Sequence, residues 1–207
     1  MFQDLRDGLR FIGENLLLRT LIRTESLLYS GYGVINAMAF FFITQNLHVP
    51  VSLFGAVPSL GGILGTWLVA RYATKIGTTR VYYRALLFAG IAMALAALQR
   101  QPLIALIIII LINVATSHVE AVSGPLILGA TPEKMAGRVF STFGTATTIS
   151  TLLATFLSGY LSSTVLHAVD IHLSIIELNA TAILNTCAGL ALITGGLYAY
   201  RYLRKLQ

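Results

Sequence analysis

Six stretches of mainly apolar residues follow one another along the chain, and this repetition constrains the fold more than any other feature. A helix rises about 1.5 Å per residue, so roughly 20 such residues cross the approximately 30 Å of hydrocarbon in a bilayer. The stretches run from Ser26 to Asn46, Ser52 to Tyr72, Val81 to Leu98, Leu103 to Leu126, Val139 to Leu161 and Asn179 to Tyr200. Turn formers separate them: His48 to Pro50, Gly77 to Thr79, Arg100 to Pro102 and Thr131 to Gly137. Connections this short make antiparallel hairpins of neighbouring helices. The sequence therefore predicts an all-α membrane protein with six transmembrane helices.

Composition excludes the alternatives. Hydrophobic residues make up 56% of the 207 positions and charged residues only 11%, against about 25% in an ordinary soluble domain. A water-soluble globule with a charged skin does not fit. Cys187 is alone, so no internal disulfide forms, and no Cys-x-x-Cys or His/Cys cluster offers a metal site. The protease, hydrolase and phosphate-loop signatures are missing, and no nucleophile, base and orienting group assemble from the spans. The expectation is a protein without cofactor or metal that is not an enzyme. Asn179-Ala-Thr181 matches a glycosylation sequon but abuts the last span, and such matches arise by chance.

Three parts follow: a lead-in over residues 1–24, a helix bundle over 25–200 and a basic tail over 201–207. The lead-in mixes charges with apolar residues and has no continuous apolar region, unlike a signal peptide. Phe2, Leu5, Leu9, Ile12 and Leu16 recur at three and four, as one helix face lying along the membrane surface does.

Basic residues set the direction of threading, because Lys and Arg accumulate on the cytoplasmic side. Of the 14 Lys and Arg residues, only Arg100 falls outside the lead-in, the ends of the second and third spans, the loop after the fourth, and the tail. Both termini are therefore expected in the cytoplasm of a multi-pass protein of the cell (inner or plasma) membrane, with the lipid bilayer as its first partner. The basic residues border spans and form no stripe with interleaved aromatics, which argues against nucleic acid as a partner.

Polar side chains inside the spans gather on two helices. Glu25, Tyr29, Tyr32 and Asn36 share one face of the first, and Asn113, Thr116, Ser117, Glu120 and Ser123 share one face of the fourth. The third span has no polar side chain from Ala85 to Leu98. Six helices then divide into two triplets, each led by a polar-faced helix, as in the three-plus-three inverted repeats of transporters. Gly55, Gly61, Gly62 and Gly65 in the second span, and Ala154, Ser158 and Ser162 in the fifth, have the spacing that lets backbones approach closely.

Glu120 is the strongest candidate for chemistry, since an ionisable group inside a span is costly and tends to be functional. It either loads and releases a proton, or sits solvated at the headgroups if the fourth helix stops near Gly124 and Pro125. His118 lies on another face of the same helix and reads as a packing or hydrogen-bonding residue. Glu25 reads as an interfacial anchor beside Arg23.

The stretch Gly65-Thr-Trp-Leu-Val-Ala-Arg71-Tyr-Ala-Thr74-Lys75-Ile-Gly77-Thr-Thr-Arg80 resembles the cytoplasmic signature loop of the major facilitator superfamily. Gly65, Lys75, Gly77 and Arg80 occupy matching positions, whereas Thr74 stands where the family usually has Asp. The segment from Asp4 to Ile12 is similar to the cytoplasmic connection between the two halves of such transporters. Thr131 to Ser141 is similar to their loop between the tenth and eleventh helices. The resemblance covers the whole chain but only the C-terminal six-helix half of that fold, with an exporter-like character. It implies half of a secondary active transporter that carries small amphipathic molecules out of the cell by alternating access, coupled to protons. An N-terminal six-helix half or a second copy of the chain is the implied partner. Tyr29, Tyr32, Asn36, Asn113, Ser117 and Glu120 would line the pathway for substrate and proton. The rival expectation is a non-transporting membrane fragment or assembly partner whose polar faces pack against another bundle.

Overall fold

A computed structural model describes residues 2–48, 50–52, 56–166, 169–172 and 177–206. Val49 in the first anticipated turn, residues 53–55 of the anticipated second span, and His167 lie outside the described residues, as do the side chains of Phe2 and Leu5.

Seven α-helices account for almost all of what is described: α1 (Phe2–Glu14), α2 (Leu16–Phe41), α3 (Val57–Ile76), α4 (Thr78–Ala97), α5 (Pro102–Gly129), α6 (Glu133–Tyr160) and α7 (Ala180–Leu203). A π-helical turn extends α2 over Phe42–Asn46, and another extends α6 over Leu161–Val165. Between α6 and α7 lies an antiparallel pair that the apolar pattern does not announce, β1 (Asp170–His172) and β2 (Glu177–Asn179), with Ile171 opposite Leu178.

Local chemistry sets the helix ends. The Asn15 side chain accepts from the backbone N–H groups of Leu17 at 2.9 Å and Leu18 at 3.3 Å, so it caps α2 and ends the amphipathic lead-in helix at Glu14. Residues 16–24 belong to the long helix despite Arg19 and Arg23. Asn179 caps α7 through the Ala182 N–H at 2.9 Å. Pro58 and Pro102 occupy first turns, where a missing N–H costs nothing. Gly77 joins α3 to α4 at φ 91°, the left-handed conformation its lack of Cβ permits.

Among the described residues, five helices are long and apolar enough to cross a membrane: α2 with its π turn, α4, α5, α6 with its π turn, and α7. The sixth expected span exists as the 20-residue α3 but falls short in apolarity. Pro58, Ser59, three glycines and Arg71 replace aliphatic residues there. Those glycines serve packing. A Cβ on Gly61 would lie 2.7 Å from the Ile110 carbonyl oxygen, and one on Gly65 would lie 2.7 Å from that of Val114, both on α5.

In the bundle α2 packs between α6 and α7, α7 packs on α4, α4 on α5 and α5 on α3, while α1 lies on α6 and touches the start of α2. Only a slight contact joins α2 to α5 directly. The α4–α7 crossing is reciprocal. A Cβ on Gly90 would come within 2.9 Å of the Gly189 carbonyl oxygen, and one on Gly189 within 2.8 Å of that of Gly90. Dispersion and close backbone approach hold helices together where lipid removes the hydrophobic drive.

Cross-links identify the two ends of the bundle. At one, Asn15 donates to the Ala130 carbonyl at 3.5 Å, Arg138 pairs with Asp7 at 3.3 Å, and Arg23 donates to the Tyr198 hydroxyl at 2.7 Å. At the other, Asn179 donates to Asn46 Oδ1 at 2.9 Å. The main core runs from Leu18, Leu21, Tyr82, Val139 and Leu203 at the first end through Leu86 to Met93, Ala96 and Ile112, and a small one of Phe42, Ile43, Leu47 and Ala105 lies toward the second. On the outside Ile63, Leu103 and Phe156 are 69%, 70% and 72% exposed, an apolar skin that suits lipid and not water. In α1, Ile12 is buried but Leu9 is half exposed, so the face expected to be single is divided between bundle and surroundings.

Overpacking a backbone-to-backbone crossing costs about 1–3 kcal/mol or more. Gly90→Leu and Gly189→Leu are each expected to lower the midpoint of thermal unfolding in detergent, followed by size-exclusion chromatography. Gly137→Ala, at a site with nothing within 4 Å, is expected to leave it in place.

Candidate functional site

The polar face of α2 meets that of α5 through a direct bond. The Tyr32 hydroxyl donates to Glu120 Oε1 at 3.0 Å. Tyr29 stacks edge-on against Tyr32 with ring centroids 5.5 Å apart. Glu120 is exposed on the open side of the seam, and α5 continues past it through Pro125 to Gly129. The helix therefore does not end at Gly124 and Pro125, the condition on which the alternative of a headgroup-solvated Glu120 rested. The proline is tolerated because its neighbours still form the helix's hydrogen bonds.

Glu25 is one turn before Tyr29 and is buried, 7% exposed. It does not anchor at an interface with Arg23, which is exposed and bonded to Tyr198. Instead its carboxyl faces Ser123 and Glu120 of α5, and its Oε1 is buried with no hydrogen-bond partner. Its neighbour Thr24 donates to the Thr20 carbonyl at 2.9 Å, so the 2.7 Å bond between the Thr24 and Tyr82 hydroxyls takes its proton from Tyr82.

A cavity of about 310 Å³ lies between α2, α3, α4, α5 and α7, and Tyr32 connects it to Glu120. Tyr32, Asn36, Met93, Ile112, Asn113 and Asn185 are among the residues that line it. Tyr32 thus belongs to both features: its ring lines the cavity and its hydroxyl holds Glu120.

The structure brings together Tyr29, Tyr32 and Glu120, and puts Asn36 and Asn113 on the adjoining cavity. Ser117 faces elsewhere. Its hydroxyl donates to the Asn113 carbonyl at 2.8 Å, and its Cβ lies 2.9 Å from where a Cβ on Gly65 would be, so it packs against α3. Asn113 turns its amide N–H to the Ile109 carbonyl at 2.9 Å. Gly65, Lys75, Gly77 and Arg80 do not form one loop: Gly65 is inside α3 against α5, and Lys75 and Arg80 are exposed on either side of the Gly77 turn. The His118 Nδ1–H donates to the Val114 carbonyl of its own helix at 2.6 Å. Tyr82 and Asn185 are residues that sequence reasoning passed over, and Glu25 is one that it assigned to the interface. The four-residue spacing already aligned Glu25 with Tyr29, while Tyr82 lies among Thr78, Thr79, Arg80, Tyr83 and Arg84 at the start of α4 and Asn185 beside Thr186 on α7, so neither stands out as part of a polar stripe.

Among the described residues, no group of three or more His, Cys, Asp or Glu side chains is placed to hold a metal ion. No protein-family model matches the chain, and no curated protein matches it.

A buried carboxyl with an unpartnered oxygen costs stability, and replacement by an apolar residue of similar size recovers it. Glu25→Leu is expected to raise the thermal midpoint in detergent. Thr24→Val, which leaves Tyr82 without its partner, is expected to lower stability by about 1–3 kcal/mol. Circular dichroism on the two variants and the parent measures both signs.

Proposed function

We propose that the chain is one six-helix half of a secondary active transporter of the major facilitator type, in which α3 spans the bilayer with the other five long helices. The basic end of the bundle faces the cytoplasm, and the transported molecules are small, amphipathic and exported in exchange for protons. An N-terminal half or a second copy closes the open side of the α2–α5 seam.

The observation that carries this reading is the Tyr32–Glu120 bond between the two polar helices, directly beside the 310 Å³ cavity. Binding sites of transporters lie near the bilayer midplane where repeats meet. The helix pairings support the repeat: exchanging α2 with α5, α3 with α6 and α4 with α7 returns the same set of principal contacts. The mutual approach of Gly90 and Gly189 lies on the axis such an exchange requires.

Chemically, the ionised Glu120 accepts the Tyr32 hydroxyl proton as a charge-assisted hydrogen bond. Protonation removes that charge and weakens the bond, which frees α2 and α5 to part. A proton on Glu120 thereby biases the seam toward one of its two arrangements. Aromatic and amide groups around the cavity bury the apolar body of a substrate and orient it.

Inverted membrane vesicles from cells that express the chain test this. A pH gradient is expected to drive accumulation of a fluorescent amphipathic amine; an uncoupler and Glu120→Gln are each expected to abolish it. Accumulation that survives Glu120→Gln rejects the coupling role, and none in the parent rejects transport by this chain.

A further inference from the structure

We infer that the end of α7 holds the phosphate of one anionic phospholipid, gripped by Arg201, Arg204 and Lys205, with the acyl chains along the outer face of the same helix. These cations and Tyr200 line an open recess of about 560 Å³. Among the described residues no carboxylate pairs with any of them. Elsewhere at this end of the bundle cations are engaged: Arg138 by Asp7, Arg10 by Glu14, Arg23 by the Tyr198 hydroxyl and Arg71 by the ring of Trp67. The α7 cluster is therefore positive charge without an acid to balance it.

A cation in the last turn of a helix also complements the helix dipole. Arg204 is held differently. Its Nη1 donates to the Tyr200 hydroxyl at 2.6 Å, and its guanidinium carbon lies 5.5 Å from the centroid of that ring. Tyr200 stands edge-on against the buried Tyr83 of α4, with ring centroids 5.2 Å apart. One planar fork is thus fixed before a ligand arrives, which lowers the ordering cost that a long side chain otherwise carries into binding. Guanidinium and ammonium groups together suit the oxygens of a phosphate.

Free phosphate and a lipid headgroup share this chemistry, and the rest of the helix face selects the lipid. Leu190, Leu197 and Arg201 are seven and four residues apart, so one exposed stripe of α7 runs from leucines to the cations. In a bilayer it sets the leucines beside acyl chains and the charges at headgroup depth, with Tyr200 at the boundary where tyrosines concentrate. Net negative headgroups are favoured over zwitterionic ones, because the ammonium of the latter meets the same cations. The inference requires a bilayer around the bundle and is independent of transport.

Native mass spectrometry of the purified full chain in detergent tests it, with titrations of dioleoylphosphatidylglycerol and of dioleoylphosphatidylcholine, whose chains are identical. One copy of the anionic lipid is expected to bind saturably, about tenfold or more tighter than the zwitterionic one. Arg201→Gln combined with Lys205→Gln is expected to abolish that preference. Arg71→Gln combined with Lys134→Gln removes the same charge from the same end of the bundle and is expected to preserve it. Glycerol phosphate in large excess, a headgroup without chains, is expected not to displace the lipid. Unchanged helical circular dichroism shows that both double variants fold. Equal affinity for the two lipids overturns the assignment, as does an equal loss in both double variants, which marks diffuse attraction to the whole basic end. Displacement by glycerol phosphate overturns it in favour of a free-phosphate site.

Discussion

In hydrocarbon a polar group has no water to turn to, so each must find a partner inside the protein. This constraint shapes the whole bundle. Hydroxyls in the long helices return to carbonyls of their own helix, as Ser30 does to Ser26, Thr66 to Gly62, Thr142 to Arg138 and Ser150 to Ala146. A few reach across instead: Thr151 donates to the Tyr29 carbonyl at 3.2 Å and Thr155 to that of Gly33 at 3.1 Å. These bonds fasten α6 to α2 at the place where Gly33 removes the side chain that would hold the helices apart.

Against that background, two acids on the facing helices stand out. Glu25 keeps a buried oxygen without a donor, and Glu120 is held by a tyrosine from the opposite helix. Both helices that carry these acids are pinned on their far sides, α2 by α6 and α7 and α5 by α3 and α4, and barely touch one another. The result is a polar seam between two independently supported walls. The extensive crossings are the outer ones, and the inner one is left to the Tyr32–Glu120 bond and the side chains around it.

Much of this was legible in the sequence. Apolar length located the long helices, and four-and-three spacing put Tyr29, Tyr32 and Glu120 on faces that meet. Helix starts moved where a single side chain overrides apolarity: Asn15 begins α2 ten residues before Glu25 and Ser26 suggest, and neither the half-buried Arg19 nor the exposed Arg23 interrupts it. Ser117 shares a face with Asn113 and Glu120 by periodicity alone, yet the glycines of α3 draw that part of α5 into a packed crossing. Spacing shows which residues share a face but not which neighbour covers it. The β1–β2 pair and the two π turns depend on closure between distant segments, such as the Asn46–Asn179 bond, and leave no local periodic trace.

Everything turns on how the bundle is threaded through a bilayer, and cysteine labelling measures that most directly. In a Cys187→Ser background, single cysteines replace the exposed residues His48, Lys75, Gln101 and Glu133, and intact cells are treated with a membrane-impermeant maleimide. The account predicts labelling at positions 48 and 101 from outside, and at positions 75 and 133 only after the membrane is permeabilised. Labelling of all four from one side, or of 48 and 101 from opposite sides, would contradict it.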